Sequence, residues 1–147
     1  MFLDHFTPQI ITGHSFGEFI ALAISGLIPL KTLLEVVCLR EKFSPEPFSI
    51  GNLIALRISE SKLNQEISPQ NYHYYVSNKN SPKQTVIAIS KEHEINFLKK
   101  VREKNIAFIT LKTVPHPYHS PLMEKTHWQL KKSIESLKFD IQTPSIP

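Results

Sequence analysis

The 147-residue chain holds one cysteine and four glycines, and it has no long apolar run. A single thiol, Cys38, excludes an internal disulfide framework and fits a reducing compartment. Its setting, "LLEVVCLR", predicts a thiol buried in a core. No stretch reaches the roughly 18 uninterrupted apolar residues that a membrane span requires. The N-terminal "MFLDHFTPQ" carries an early Asp and no apolar core of the signal-peptide kind. These absences together predict a cytoplasmic protein. A strong charge of one sign is also lacking: 17 Lys and Arg against 13 Asp and Glu leave +4. Lys99, Lys100, Arg102 and Lys104 share one predicted helix, and Lys131 and Lys132 another. Nucleic-acid binding would need a concentrated basic face with interleaved aromatics, so solvated helix faces explain these lysines better. The mild excess still suits an acidic protein or a phosphorylated cofactor.

Two of the scarce glycines flank one serine, in "TGHSFGEFIALAISG", Thr12 to Gly26. Before it, "QIIT" (9–12) has the look of a short buried strand. After it, Phe19, Leu22, Ala23 and Gly26 fall at helical spacing, and "KTLLEVVCLREKF" starts a second helix beyond Pro29. The loop "SPEPFSIGN" marks a boundary, because two prolines and a glycine punctuate it. Beyond it the elements read strand ("LIALRIS"), helix ("SKLNQEI"), strand ("HYYVSN"), strand ("TVIAIS"), helix ("KEHEINFLKKVREKN", with Ile95, Leu98 and Val101 inward) and strand ("AFITLK"). That order is the split βαβ, or ferredoxin-like, arrangement. A proline-rich loop follows, then a helix with Leu130, Ile134 and Leu137 inward. The expected fold is α/β: a partial hydrolase-like parallel-sheet core from 1–50 and 113–147, with a ferredoxin-like subdomain inserted at 51–112.

In G-x-S-x-G the strand turns abruptly into a helix, and the serine stands exposed on a strained turn at the helix N-terminus. Ser15 is the candidate nucleophile, and the backbone N–H of Phe16 with the helix dipole can stabilise an oxyanion. A serine hydroxyl needs a base. His5 lies in the terminus, His73 in a predicted strand and His93 on a charged helix, where solvent contact is the simpler fate of each. His14 adjoins Ser15, so its side chain points away from it. His116 and His119 remain, on a loop, where catalytic groups concentrate.

"GHSFGE" together with "PYHSPLM" resembles the acyltransferases that load malonyl groups from coenzyme A onto acyl carrier proteins: malonyl-CoA:acyl carrier protein transacylases and the acyltransferase domains of polyketide synthases. "CLREKF", "IPLKTLLEVVCLR" and "NKNSPKQTVIAIS" extend the resemblance from Thr7 to about Pro147. It implies Ser15 as nucleophile, His119 as base and Arg40 as a bidentate clamp on the free carboxylate of malonyl. In the synthase relatives the four positions ending in the catalytic histidine follow substrate size; His116, Pro117, Tyr118 and His119 look like the malonyl form, with Tyr118 narrowing the space at the α-carbon. The implied chemistry is ping-pong transfer through an acyl-serine, in fatty acid or polyketide biosynthesis. No bound cofactor is implied: malonyl-CoA is the substrate and the phosphopantetheine thiol of the carrier protein the acceptor.

Several family features are not matched. The family's "GQGxQ" segment, which supplies a second oxyanion donor, precedes the nucleophile turn there, and a later Asn or Gln carbonyl orients the histidine. Glu41 stands where a glycine usually follows the arginine. The expectation is a fragment of a larger acyltransferase, whose partner is a chain or domain carrying the missing segments. Alternatives are a thioester hydrolase of the same fold, which would make less use of Arg40, and an inactive module that docks a carrier protein. An ordinary α/β-hydrolase is weaker, since no Asp lies between Ser15 and His119.

Overall fold

A computed structural model describes residues 8–137, 139 and 141–143. The parts of the sequence reading that fall on 1–7, including His5 and the Thr7 start of the resemblance, and on 144–147 lie outside the described residues. The chain divides into two compact units, one of residues up to 42 with those from 130 onward, the other of 43–129. Residues 43–50 and 113–129, assigned to the core from the sequence, fall in the second unit.

In the first unit α1 spans Phe16–Ile24 and α2 Leu30–Phe43. Glu18 in the first turn of α1 and Arg40 and Lys42 in the last turn of α2 oppose the helix dipoles favourably. Gly26 ends α1 at φ 76°, donating its N–H to Ala23 O (3.0 Å); only a residue without Cβ takes that conformation without strain. Pro29 then opens α2, accepting from Leu33 N–H at 3.1 Å. Leu33 and Val36 are buried, as their spacing predicts. Cys38 is not: it is exposed, on the side of α2 away from that stripe. Residues 9–12 form no strand, and Ile10 is 72 % exposed. A strand exists only through its ladder, and the described residues offer this run no neighbour.

The second unit is built on β1 (Gly51–Leu56), β2 (Tyr74–Ser81), β3 (Gln84–Ser90) and β4 (Phe108–Thr110). Their order is β2-β3-β1-β4, every neighbour antiparallel. The parallel sheet expected of a hydrolase-like core is therefore not found among the described residues. Between β1 and β2 lie α3 (Glu60–Glu66) and the single turn α4 (Pro69–Tyr72); between β3 and β4 lies α5 (Lys91–Glu103). His73 is not in a strand; it caps α4 in a left-handed conformation. One face of the sheet packs Ile54, Leu56, Ile87 and Ile89 against Leu63 of α3 and Phe97 and Val101 of α5. The inward stripe of α5 thus runs through Phe97; Ile95 is 78 % exposed. The other face gathers Leu53, Val86 and Ala88 under Leu111, Val114 and Leu122. β3 is covered on both faces, which is why "VIAI" reads as an unbroken apolar run. Helix α6 (Glu124–Glu135) closes the described elements, with Leu130, Ile134 and Leu137 half-buried.

Candidate active site

In the first unit the chain meets α1 at Ser15, whose backbone stands at φ 54°, ψ −114°. For a residue with a Cβ this is a strained conformation, and such strain concentrates at functional positions. Gly13 makes the turn possible: a Cβ there would overlap the backbone of Gly17 and Glu18. Gly17 has open space where its Cβ would be, so contacts do not demand the second glycine. The turn is closed by Gly17 N–H to His14 O (2.9 Å) and Glu18 N–H to Ser15 O (3.1 Å). Ser15 is the N-cap residue, yet its side chain makes no capping bond. Phe16 is the first helical residue, a position whose N–H has no acceptor within the helix. Arg40, in the last turn of α2, carries its guanidinium 5.5 Å from the centre of the Phe16 ring. The first unit thus brings together Ser15, Phe16 and Arg40.

The second unit positions His116, Tyr118 and His119 on the loop that the second face of the sheet supports through Val114 and Leu122. Phe48 N–H donates to Pro115 O at 2.7 Å, and Tyr118 N–H to His116 O at 2.8 Å, a tight turn about buried Pro117. His116 is buried and meets Tyr118 edge-on, 5.2 Å between ring centres. It reads as packing that holds Tyr118, which is half-buried. His119 is exposed and, like Ser15, stands at positive φ, 56°. Its flanks are tied: Ser120 Oγ donates to Pro117 O (2.5 Å), and Ser77 Oγ to Tyr118 O (3.0 Å).

Ser77 was not visible as a site residue. It lies in β2 between Val76 and Asn78, where the pairing with β3 slips by one residue. A bulge of that kind frees a residue from the ladder and re-aims its side chain. Only the register reveals it. His73 and His93 stack at 4.5 Å, a pair equally unreadable from the sequence. Among the described residues no cluster of three or more His, Cys, Asp or Glu could hold a metal, and no helix is long and apolar enough to cross a membrane.

Known proteins resemble this chain in sequence and in fold. The acyl transferase domain family model matches residues 6–146. A non-reducing polyketide synthase of Aspergillus fumigatus is 31% identical over 145 residues, 93% of this chain and 8% of the synthase. A probable polyketide synthase of Dictyostelium discoideum is 28% identical over 140 residues, 95% of this chain and 5% of the synthase. Among solved structures, a malonyl CoA-acyl carrier protein transacylase from Clostridium perfringens superposes with a TM-score of 0.79 at 25% identity, covering 97% of this chain and 46% of that one. A loading acyltransferase from the avermectin polyketide synthase gives 0.84 at 23% identity, covering 97% and 45%, a likeness of fold. The chain thus spans less than half of each of these proteins. Matched over nearly its whole length, it belongs to the acyl transferase domain family.

Proposed function

We propose that the chain carries the malonyl-handling residues of an acyltransferase of fatty acid or polyketide biosynthesis, acting in the cytoplasm. The observation that carries this reading is the strained turn at Ser15 with the Arg40 guanidinium beside Phe16. A nucleophile, an amide at a helix N-terminus and a carboxylate-binding cation are what transfer of a malonyl group requires. Ser15 Oγ attacks the thioester carbonyl of malonyl-CoA while His119 takes its proton. The tetrahedral oxyanion accepts from Phe16 N–H, the C–S bond breaks, and His119 returns the proton to the departing thiolate. The phosphopantetheine thiol of an acyl carrier protein then attacks the acyl-serine in the same way, regenerating the Ser15 hydroxyl. Arg40 pairs with the malonyl carboxylate, and Tyr118, held in place by the buried His116, bounds the space at the α-carbon. No resident cofactor enters these steps.

We further read the antiparallel sheet as the ferredoxin-like subdomain of such an enzyme. The polypeptide making up the rest of an acyltransferase domain is the second partner. Phe16, Ile20 and Ile24, all exposed at four-residue spacing on α1, offer it an apolar surface to cover.

The test is covalent labelling with radioactive malonyl-CoA, with and without acyl carrier protein, on the chain alone and with a completing acyltransferase segment. Label lost in Ser15→Ala and passed to the carrier is the expected result. Release of free malonate instead would assign hydrolysis, and no label on folded protein in either setting would leave a carrier-docking module.

A further inference from the structure

Beyond the residues used above, the second unit holds a basic cavity of about 510 Å³. It lies at the end of β1 where Arg57 follows Leu56, whereas the histidine loop is tied near the other end, through Phe48 to Pro115. Four cations line the cavity, each from a different place in the chain: Arg57 after β1, Lys62 on α3, Lys83 in the turn between β2 and β3, and Lys104 at the end of α5. Glu66 is the one carboxylate lining it, and it is paired with Lys104 at 2.8 Å. The hydrogen bond and charge of Lys104, then the charge of Lys62, hold Glu66 below the usual carboxylate range. Arg57, Lys62 and Lys83 enter no ion pair among the described residues. Three positive charges are therefore in excess around one concavity.

A second cavity, of about 440 Å³, shares Arg57, Lys83 and Ala107 with the first and continues over Ala55, Phe108 and Ile109. Ile109 is 70 % exposed on the edge strand β4. The composite is a cationic bowl opening onto an apolar shelf. Solvated lysines spread over a convex face would give neither the convergence nor the shelf. The volume is that of a small-molecule site, not of a flat protein contact. Arg57 offers the planar fork that suits phosphate oxygens, with the lysines as point charges around it.

From this geometry we infer a site for a small molecule bearing a diphosphate joined to an apolar or aromatic body, of which a nucleoside diphosphate is the simplest example. The diphosphate seats among Arg57, Lys62 and Lys83, and the body lies on Ala55 and Ile109, which share one face of the sheet. None of the residues lining it is among the proposed acyl-transfer residues.

The test is isothermal titration of the purified chain at low salt with inorganic pyrophosphate and with ADP. Saturable binding of both is expected, ADP at least threefold tighter because it also covers the shelf. Arg57→Gln with Lys83→Gln should weaken both at least tenfold, while Lys99→Gln with Lys100→Gln, elsewhere on the same unit, should change either less than twofold. Glu66→Gln should tighten both, since it removes the one competing carboxylate; this gain distinguishes a site from a damaged fold. Absence of saturable binding, or equal losses in the two double variants, would overturn the proposal. Binding of a polyglutamate peptide with no binding of pyrophosphate or ADP would overturn it too, in favour of an acidic protein partner.

Discussion

In the proposed function Arg40 is the residue on which substrate choice turns. A guanidinium facing the malonyl carboxylate forms a charge-assisted pair worth about 1.5–3 kcal/mol, a pair that an acetyl group has no carboxylate to make. Arg40→Ala should lower acylation by malonyl-CoA roughly 10- to 100-fold and leave acetyl-CoA nearly unaffected, as competition between the two thioesters for Ser15 would show. An unchanged preference would remove Arg40 from the site. The tight turn at Ser15 was legible in the sequence because turn chemistry is local, whereas the role of Arg40 was named only through the family resemblance. The strain at Ser15 and His119 was legible only in part: the glycines announce a tight turn, and Gly13 does permit it, but nothing in "PYHS" announces φ 56° at His119. Ser77 was hidden because a bulge is a property of two strands in register, not of one segment. Cys38 was misplaced because an apolar neighbourhood in sequence surrounds a helix on every side, while the structure buries only the Leu33–Val36 side.

At the scale of elements, periodicity found the helices and left their phase open. In α5 both Ile95 and Phe97 lie within reach of a stripe through Leu98 and Val101. The sheet decides for Phe97, whose ring meets that of Tyr74 at 5.2 Å. Truncating the two should therefore differ sharply in denaturant unfolding. Phe97→Ala should cost about 3–5 kcal/mol, because a fully buried ring leaves a cavity. Ile95→Ala should cost less than about 0.5 kcal/mol, as for other surface changes. Comparable losses would mean that α5 packs with the other face inward. The βαββαβ order was readable because strands and helices alternate in period and the turns between them are marked. The 9–12 run shows the limit: a pattern can say that a segment is fit for a strand, but only neighbouring strands make it one.

For the molecule as a whole, the two units carry different burdens. The first exposes apolar side chains along α1 and at Leu30 and Leu34 of α2, while the second encloses a two-faced core about its own sheet. The stability of the second unit has a marker in Tyr74, which is 3 % exposed. Its hydroxyl sits 2.7 Å from Ile67 O and 2.8 Å from Asn64 Oδ1. Burial, reinforced by the nearby charge of Glu60, pushes its ionisation up to about 12. In the unfolded chain a tyrosine ionises near about 10. Below pH 10 both states keep the proton and the stability is whole. Between 10 and 12 the unfolded state releases its proton first, so stability falls with rising pH, by up to about 2–3 kcal/mol. Lysines titrate over the same range, so the comparison must be with Tyr74→Phe, which has no proton to lose. That variant should be weaker at pH 9, having lost the hydroxyl's bonds, yet its urea midpoint should decline less between pH 9 and 11.5 than that of the native chain. Parallel declines would show that the Tyr74 hydroxyl ionises as easily folded as unfolded, and that the contact between β2 and the end of α3 is open to water.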